Sequence, residues 1–413
     1  MSNPSVLVSP SASHSASATG TMTALERRSS LSLAGIFALR MLGLFLVLPV
    51  FALEAARYPG GDDPALVGLA MGMYGLTQAV MQMPLGWASD RWGRKRIIVI
   101  GLLVYAAGGA LAAMATTVHG LLLGRALQGA GAISAAVTAL LADQTRDEVR
   151  TKGMALVGGS IGLTFALSLL LAPVLAAWSG LPGIFGLSAA LALAGIAAVL
   201  YWTPAEPVRH AAAARGRLAD VWRHPALWRL NVGVFVLHTV QIAMWVAVPG
   251  LLVQAGLPKA GHWQVYLPAV LASFVLLGAV LFPMERRGRL RPVYLGAVAL
   301  LLLVQAGFGL AAAGAPGLWW LGALLFLFFC SFNILEASQP SLVSRLAPAA
   351  SRGAALGIYN TLQSLGLFAG GLMGGVLVKA AGVSALFLAC SALVLVWLAL
   401  SWRLRMPARV DSA

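Results

Sequence analysis

Twelve apolar runs divide the 413-residue chain, each close to the about 20 residues that carry a helix across a bilayer core of ~30 Å. They lie near 33–55, 65–88, 96–118, 120–142, 153–178, 183–203, 228–254, 262–284, 292–314, 317–342, 353–380 and 383–403. With 60% of residues hydrophobic and 10% charged, the chain holds more apolar surface than a water-soluble core can bury, so lipid is its main solvent. In lipid each backbone N–H and C=O must be satisfied inside the protein. The expectation is an all-α membrane protein of twelve transmembrane helices.

The net charge of +15 would suit a nucleic-acid binder if it sat on a soluble domain. Here the bases fall in short turns between apolar runs, which is the pattern of the positive-inside rule and excludes nucleic acid as a partner. Counting turns alternately from the N-terminus places Arg57, Lys259 and Lys379 on one side and Arg40 and Arg125 inside runs, and gathers the rest of the 28 Lys and Arg on the other side. Both termini are therefore expected to be cytoplasmic. Residues 1–30 are rich in Ser, Ala and Thr and read as a disordered tail. Arg27 and Arg28 could open a twin-arginine export signal, but the run behind them is of spanning length and carries Arg40, which favours a retained first helix. Cys330 and Cys390 lie in apolar runs without metal or redox spacing and read as buried hydrophobes.

The turn "GWASDRWGRKRIIVIG" at 86–101 packs Asp90, Arg91, Arg94, Lys95 and Arg96 between two runs. Shifted by 195 residues, Asp90, Arg91, Gly93, Arg94, Arg96 and Gly101 fall on Glu285, Arg286, Gly288, Arg289, Arg291 and Gly296. A shift of 200 places Thr151, Lys152 and Gly153 on Ser351, Arg352 and Gly353. The chain is thus two six-helix pseudo-repeats, 31–203 and 228–404, joined by a basic cytoplasmic linker at 204–227 and followed by a short tail at 405–413. Gly93 permits a tight turn, Gly86 would let the second helix pack closely on a neighbour, and Asp90 sits where the positive end of the eleventh helix is expected.

"GWASDRWGRKR" resembles the loop signature between helices 2 and 3 of the major facilitator superfamily, with Gly86, Asp90, Arg91, Gly93, Arg94 and Lys95 on its characteristic positions. "FALRMLGLFLVLPV" (37–50), "YGLTQAVMQMPLGWASDR" (74–91), "GRALQGAGAISAAVTALLAD" (124–143) and "FNILEASQPSL" (332–342) are similar to its YajR-type bacterial branch. The resemblance implies the major facilitator fold, a bacterial inner membrane, a monomer, and a charge network of Asp90, Arg94 and Asp143 that closes the cytoplasmic side. A purely topogenic cluster accounts for Arg91, Lys95 and Arg96, though not for Asp90 or the glycines. Some relatives carry a soluble domain after the last helix; this chain ends ten residues beyond it, so regulation through such a domain is not expected.

Ionisable groups inside a membrane are costly and usually functional. Arg125 and Gln128 belong to a helix-4 signature that the resemblance associates with proton transfer; snorkelling to the interface is the alternative for Arg125, and equally for Arg40. His238, Gln241 and Trp245 share one face of the seventh run, and Asn333 and Glu336 one face of the tenth. Low dielectric disfavours the charged forms of Glu336 and His238, so either can load and release protons; either can also be a satisfied polar group holding helices together. Tyr74, Gln78 and Gln82, and Tyr359, Asn360 and Gln363, are candidate substrate-cavity stripes or interhelical glue.

In the fifth run the antiporter glycine pattern is eroded to Gly159, Ser168, Ala172, Pro173, Ala176 and Ala177, which keeps small residues for close packing but weakens the efflux assignment. No phosphate-binding loop, metal-ligand cluster or nucleophile set is present in the sequence, so neither a cofactor, a metal nor an enzyme activity is expected. The expected function is proton-coupled efflux of small amphipathic solutes, its partners being the bilayer, protons and the solute. A symporter or facilitator of the same fold, and a sensor that has lost transport, are the alternatives.

Overall fold

The computed structural model describes residues 21–206, 221, 224–315, 317–348 and 351–404, and among them every regular element is helical. The twelve crossings are labelled here in chain order. α1 is Ala24–Phe45, continued by Phe51–Ala55; α2 is Pro64–Trp92; α3 is Arg94–Ala113; α4 is Val118–Ala130 followed by Ser134–Asp143. α5 and α6 are the two arms of Asp147–Ala197, divided at Gly180 and ending in the π-helical turn Ala198–Trp202. α7 is Pro225–Gln254, α8 Trp263–Arg286, α9 Leu290–Ala313 and α10 Leu318–Leu346. α11 and α12 are the arms of Arg352–Trp402, divided at Gly382.

Several boundaries differ from the sequence reading, each for a local reason. The stretch read as tail already forms helix from Ala24, because Thr23 and Glu26 make a reciprocal capping box: Glu26 N donates to Thr23 Oγ1 at 3.2 Å and Thr23 N to Glu26 Oε2 at 2.8 Å. Residues 1–20 lie outside the described residues, as do 207–220 of the linker and the C-terminal stretch 405–413. The first run is not one helix. Pro49 has no N–H to continue the ladder, and 46–50 pass through turns before helix resumes at Phe51. The fifth and sixth runs, and the eleventh and twelfth, are joined by single hinges in place of loops: Gly180 has φ 60° and Gly382 φ 82°, a region in which a β-carbon is strained. The two hinges occupy matching places in the two repeats.

The halves meet closely at one end only. A Cβ on Gly72 would fall 2.7 Å from Phe368 O, and one on Gly371 would fall 2.5 Å from Gly68 O and 2.6 Å from Gly72 N. Gly68, Gly75 and Gly375 are filled just as tightly, so α2 and α11 cross backbone to backbone. This crossing lies toward the face opposite the basic turns. On that side the apolar core is continuous between the halves: Val47, Phe51, Met71, Phe165 and Leu169 belong to the same cluster as Val240, Trp245, Phe329 and Phe387. Toward the basic face Leu33, Ile97, Leu140, Leu141 and Val199 form a separate cluster confined to the first six spans. The halves are joined at the opposite face and part toward the basic one.

Two substitutions on α11 separate these environments. Gly371→Leu is expected to lower the thermal unfolding midpoint of the detergent-purified protein by several degrees, because overpacking of this kind costs about 1–3 kcal/mol. Gly357→Leu, on the same helix with open space, is expected to shift it by less than a degree or so. Equal shifts would remove the α2–α11 crossing as the tight contact.

Candidate functional site

Three polar assemblies stand along the axis of the molecule. In the second half, α7, α10 and α11 bring His238, Glu336 and Gln363 together. Gln363 Nε2 lies 2.8 Å from His238 Nε2 and donates to Glu336 Oε1 at 3.2 Å. His238 Nε2 is 3.4 Å from Glu336 Oε2. The imidazole Nδ1 faces Val234 O at 3.0 Å; a carbonyl only accepts, so Nδ1 carries hydrogen and Nε2 is the acceptor of the neutral ring. Glu336 Oε2 then has no donor among the described residues. The Glu336 side chain is 39% exposed while that of His238 is 5% exposed, although the Oε2 that faces the imidazole is buried.

The other candidates of this half do not join that cluster. Asn333 Nδ2 donates to Ser273 Oγ at 2.8 Å and ties α10 to α8. Trp245 is fully buried, edge-on to Tyr266 at 5.4 Å between ring centres, and Gln241 is buried on the same helix. Tyr359 is buried with its hydroxyl unpaired among the described residues. Asn360 contributes its carbonyl, which accepts from Ser364 Oγ at 3.0 Å.

In the first half, two guanidiniums converge on one tyrosine. Arg40 donates to Tyr74 Oη at 2.6 Å and Gln78 Oε1 at 3.2 Å. Arg125 donates to Gln128 Oε1 at 3.2 Å and to Met71 O at 3.4 Å. Their central carbons lie 5.9 and 4.8 Å from the Tyr74 ring centre, and Arg40 is also 5.6 Å from that of Tyr105. Both arginines are fully buried, so neither snorkels, and among the described residues neither meets a carboxylate. Aromatic faces and carbonyl oxygens take the place of counter-charges. Gln78 extends the network across the halves by donating to Ser364 Oγ at 2.8 Å. Gln82 is buried beyond this network with its amide oxygen unpaired among the described residues.

At the basic face Arg94 pairs with Asp90 at 2.5 Å and Asp143 at 3.3 Å, and its Nη1 donates to Ser89 Oγ at 2.8 Å. All of these groups belong to the first half. Gly93 has φ 106°, which explains the glycine of the turn. The following backbone N–H groups of Arg94 and Lys95 donate to the Glu206 carboxylate at 3.0 and 2.6 Å, and Lys95 Nζ donates to Thr203 O at 2.6 Å. Arg91 stacks on Trp87, 5.5 Å from its ring centre. The close packing expected of Gly86 is absent: an added Cβ there would meet Ala135 at an ordinary 3.4 Å. In the second half Glu285 of α8, the counterpart of Asp90, pairs with Arg345 of α10.

The opposite face is fastened by ion pairs between halves that sequence reasoning did not assemble. Lys259 pairs with buried Glu54, which also meets Arg57 at 3.2 Å. Lys379 pairs with Asp63 at 2.7 Å. The hydrogen bond from Lys379 holds the Asp63 carboxyl below its ordinary pKa, so this pair survives at neutral pH and is lost only as pH falls through that lowered value. A signal was available, since Lys259 and Lys379 stood almost alone as bases on that side. Glu206 and Tyr105 carried no comparable signal.

A model of the Major Facilitator Superfamily matches residues 33–371. The inner membrane transport protein YajR of Escherichia coli (strain K12) is 40% identical over 95% of this chain and 86% of its own length. The multidrug resistance protein MdtH of Yersinia enterocolitica is 29% identical over 81% of this chain and 82% of its own. The crystal structure of the human organic anion transporter MFSD10 superposes with a TM-score of 0.69 at 19% identity, covering 92% of this chain and all of that one. The chain belongs to the Major Facilitator Superfamily: it is a multi-pass membrane transporter related to YajR and to multidrug resistance proteins, and not an enzyme.

Proposed function

We propose that this transporter exports small amphipathic solutes in exchange for protons by alternating access, with its basic face in the cytoplasm of a bacterial inner membrane. On this reading the structure is in its inward-open state, because the halves are joined at the opposite face and part at the basic one. The observation that carries proton coupling is the His238–Glu336–Gln363 cluster. A neutral imidazole and a carboxylate together hold one proton too few to bridge Nε2 and Oε2 across their 3.4 Å. One added proton converts that gap into a charge-assisted hydrogen bond, provided the Gln363 amide turns its oxygen to the cluster. Glu336 is the group through which the proton enters, because it alone of the pair is exposed. A proton moving inward supplies ~2.3 kcal/mol per 100 mV of membrane potential, enough to bias the two facing states if solute and proton compete for this cavity. Arg40 and Arg125, on the facing half, add fixed positive charge that opposes a second cation in the same space. The eroded small-residue pattern of α5 still supports close packing, since Ser168, Ala172 and Ala176 are buried.

Asp90, Arg94 and Asp143 serve in this scheme as the cytoplasmic latch. In the inward-open state they are held ready within the first half, opposite the start of α11, whose positive end near Ser351 to Gly353 favours the Asp90 carboxylate when the face closes.

The first test is proton release by the reconstituted protein as lipophilic cations, sugars and organic acids are added in turn. A compound that triggers release from the wild type and none from Glu336→Gln is the expected result. Transport of that compound without proton movement in either protein would replace antiport with a facilitator. For the latch, Arg94→Ala removes hydrogen bonds to charged groups worth on the order of 1–3 kcal/mol, about 5- to 150-fold in the balance between facing states. Transport by Arg94→Ala and Asp90→Asn in proteoliposomes should fall accordingly, and rates equal to the wild type would exclude the latch.

A further inference from the structure

At the basic face the two repeats end differently. In the first half Arg28, at the start of α1, donates from Nε to Trp202 O at 2.9 Å, so it caps the end of α6. The matching carbonyl at the end of α12, Trp402 O, is already taken by Arg291 of α9 at 2.7 Å. Arg229 of α7, the counterpart of Arg28, is left without that acceptor. Neither Arg229 nor Arg403 has an ion-pair or hydrogen-bond partner among the described residues. Both line a cleft of about 490 Å³ between the start of α7 and the end of α12, with Pro225, Trp228, Ala399 and Leu400 as its remaining walls.

Three features fix the chemistry of an occupant. Two guanidiniums without a partner among the described residues line the cleft and favour an anion, and their planar forks suit phosphate oxygens. The positive end of α7 opens at Pro225, and the Arg291 side chain offsets the negative end of α12. The remaining walls are apolar, and Trp228 and Trp402 are 40% and 65% exposed at the depth where aromatic rings sit in the headgroup layer. An apolar wall that runs from an arginine pair into a lipid-facing groove suits a ligand that carries its own acyl chains. We propose that this cleft binds the phosphodiester headgroup of an anionic phospholipid, held by Arg229 and Arg403 with the chains along α7 and α12. Basic clefts between transmembrane helices on this side are suited to such headgroups. The first repeat has no such site, because Arg28 is spent on its own helix end.

The test is lipid titration of the purified full chain followed by native mass spectrometry. Phosphatidylglycerol should bind with clear preference over phosphatidylcholine. Arg229→Gln combined with Arg403→Gln should weaken it about thirtyfold, at roughly fivefold for each basic residue. Arg28→Gln should leave it within about twofold, and Ala399→Phe, which fills the cleft and keeps both charges, should weaken it as well. Equal binding of the two lipids would overturn the proposal, as would equal losses in the Arg28 and Arg229/Arg403 variants. Displacement of the lipid by millimolar inorganic phosphate would assign the arginines to a free anion and overturn the lipid site.

Discussion

The crossing of α2 and α11 is the contact on which the arrangement of the two halves depends. Between helices in lipid there is no hydrophobic drive to associate, so attraction comes from close van der Waals contact and from polar groups. Gly68, Gly72 and Gly75 on one helix and Gly371 and Gly375 on the other clear side chains from most of the contact, and the backbones touch. The ion pairs Glu54–Lys259 and Asp63–Lys379 stand at its rim. Because this seal is confined to one end, the apolar cores fuse there and separate at the other.

Charge is divided unequally between the repeats. The first half buries Arg40 and Arg125 against Tyr74 and Tyr105 with no carboxylate beside them among the described residues, while the second holds the titratable pair His238 and Glu336. At the basic face the repeats also pair their charges differently: Arg94 meets Asp90 and Asp143 in one, and Glu285 meets Arg345 in the other. Asp90 and its counterpart Glu285 keep their sign, but each pairs with a different arginine, Arg94 of the same turn in one repeat and Arg345 of α10 in the other.

The loop at 86–96 was legible because its parts are contiguous and its glycine is demanded by a positive φ at Gly93. The cluster of His238, Glu336 and Gln363 was legible only as separate residues on three helices, with Gln363 assigned to a stripe with Tyr359 and Asn360. The structure divides that stripe, giving Gln363 to the titratable pair, the Asn360 carbonyl to Ser364 and the Tyr359 ring to the core. Trp245 shared a helical face with His238 but is turned into packing against Tyr266, since a helix face of this width reaches more than one neighbour. The capping box of Thr23 and Glu26 is local enough to be read in the sequence, but the Ser- and Ala-rich composition around it masks the helix start.

By itself the sequence determined that the chain crosses a membrane about twelve times, that its two halves repeat, and which face carries the bases. These follow from segment length, hydropathy and charge, which need no partner to be read. Tertiary structure alone decided which glycines form the seal, which lysines find Glu54 and Asp63, and which arginines are paired or left open to a cleft. Those outcomes depend on how distant helices approach and rotate against each other, and in lipid that approach is set by side-chain fit and polar pairing over hundreds of residues of separation.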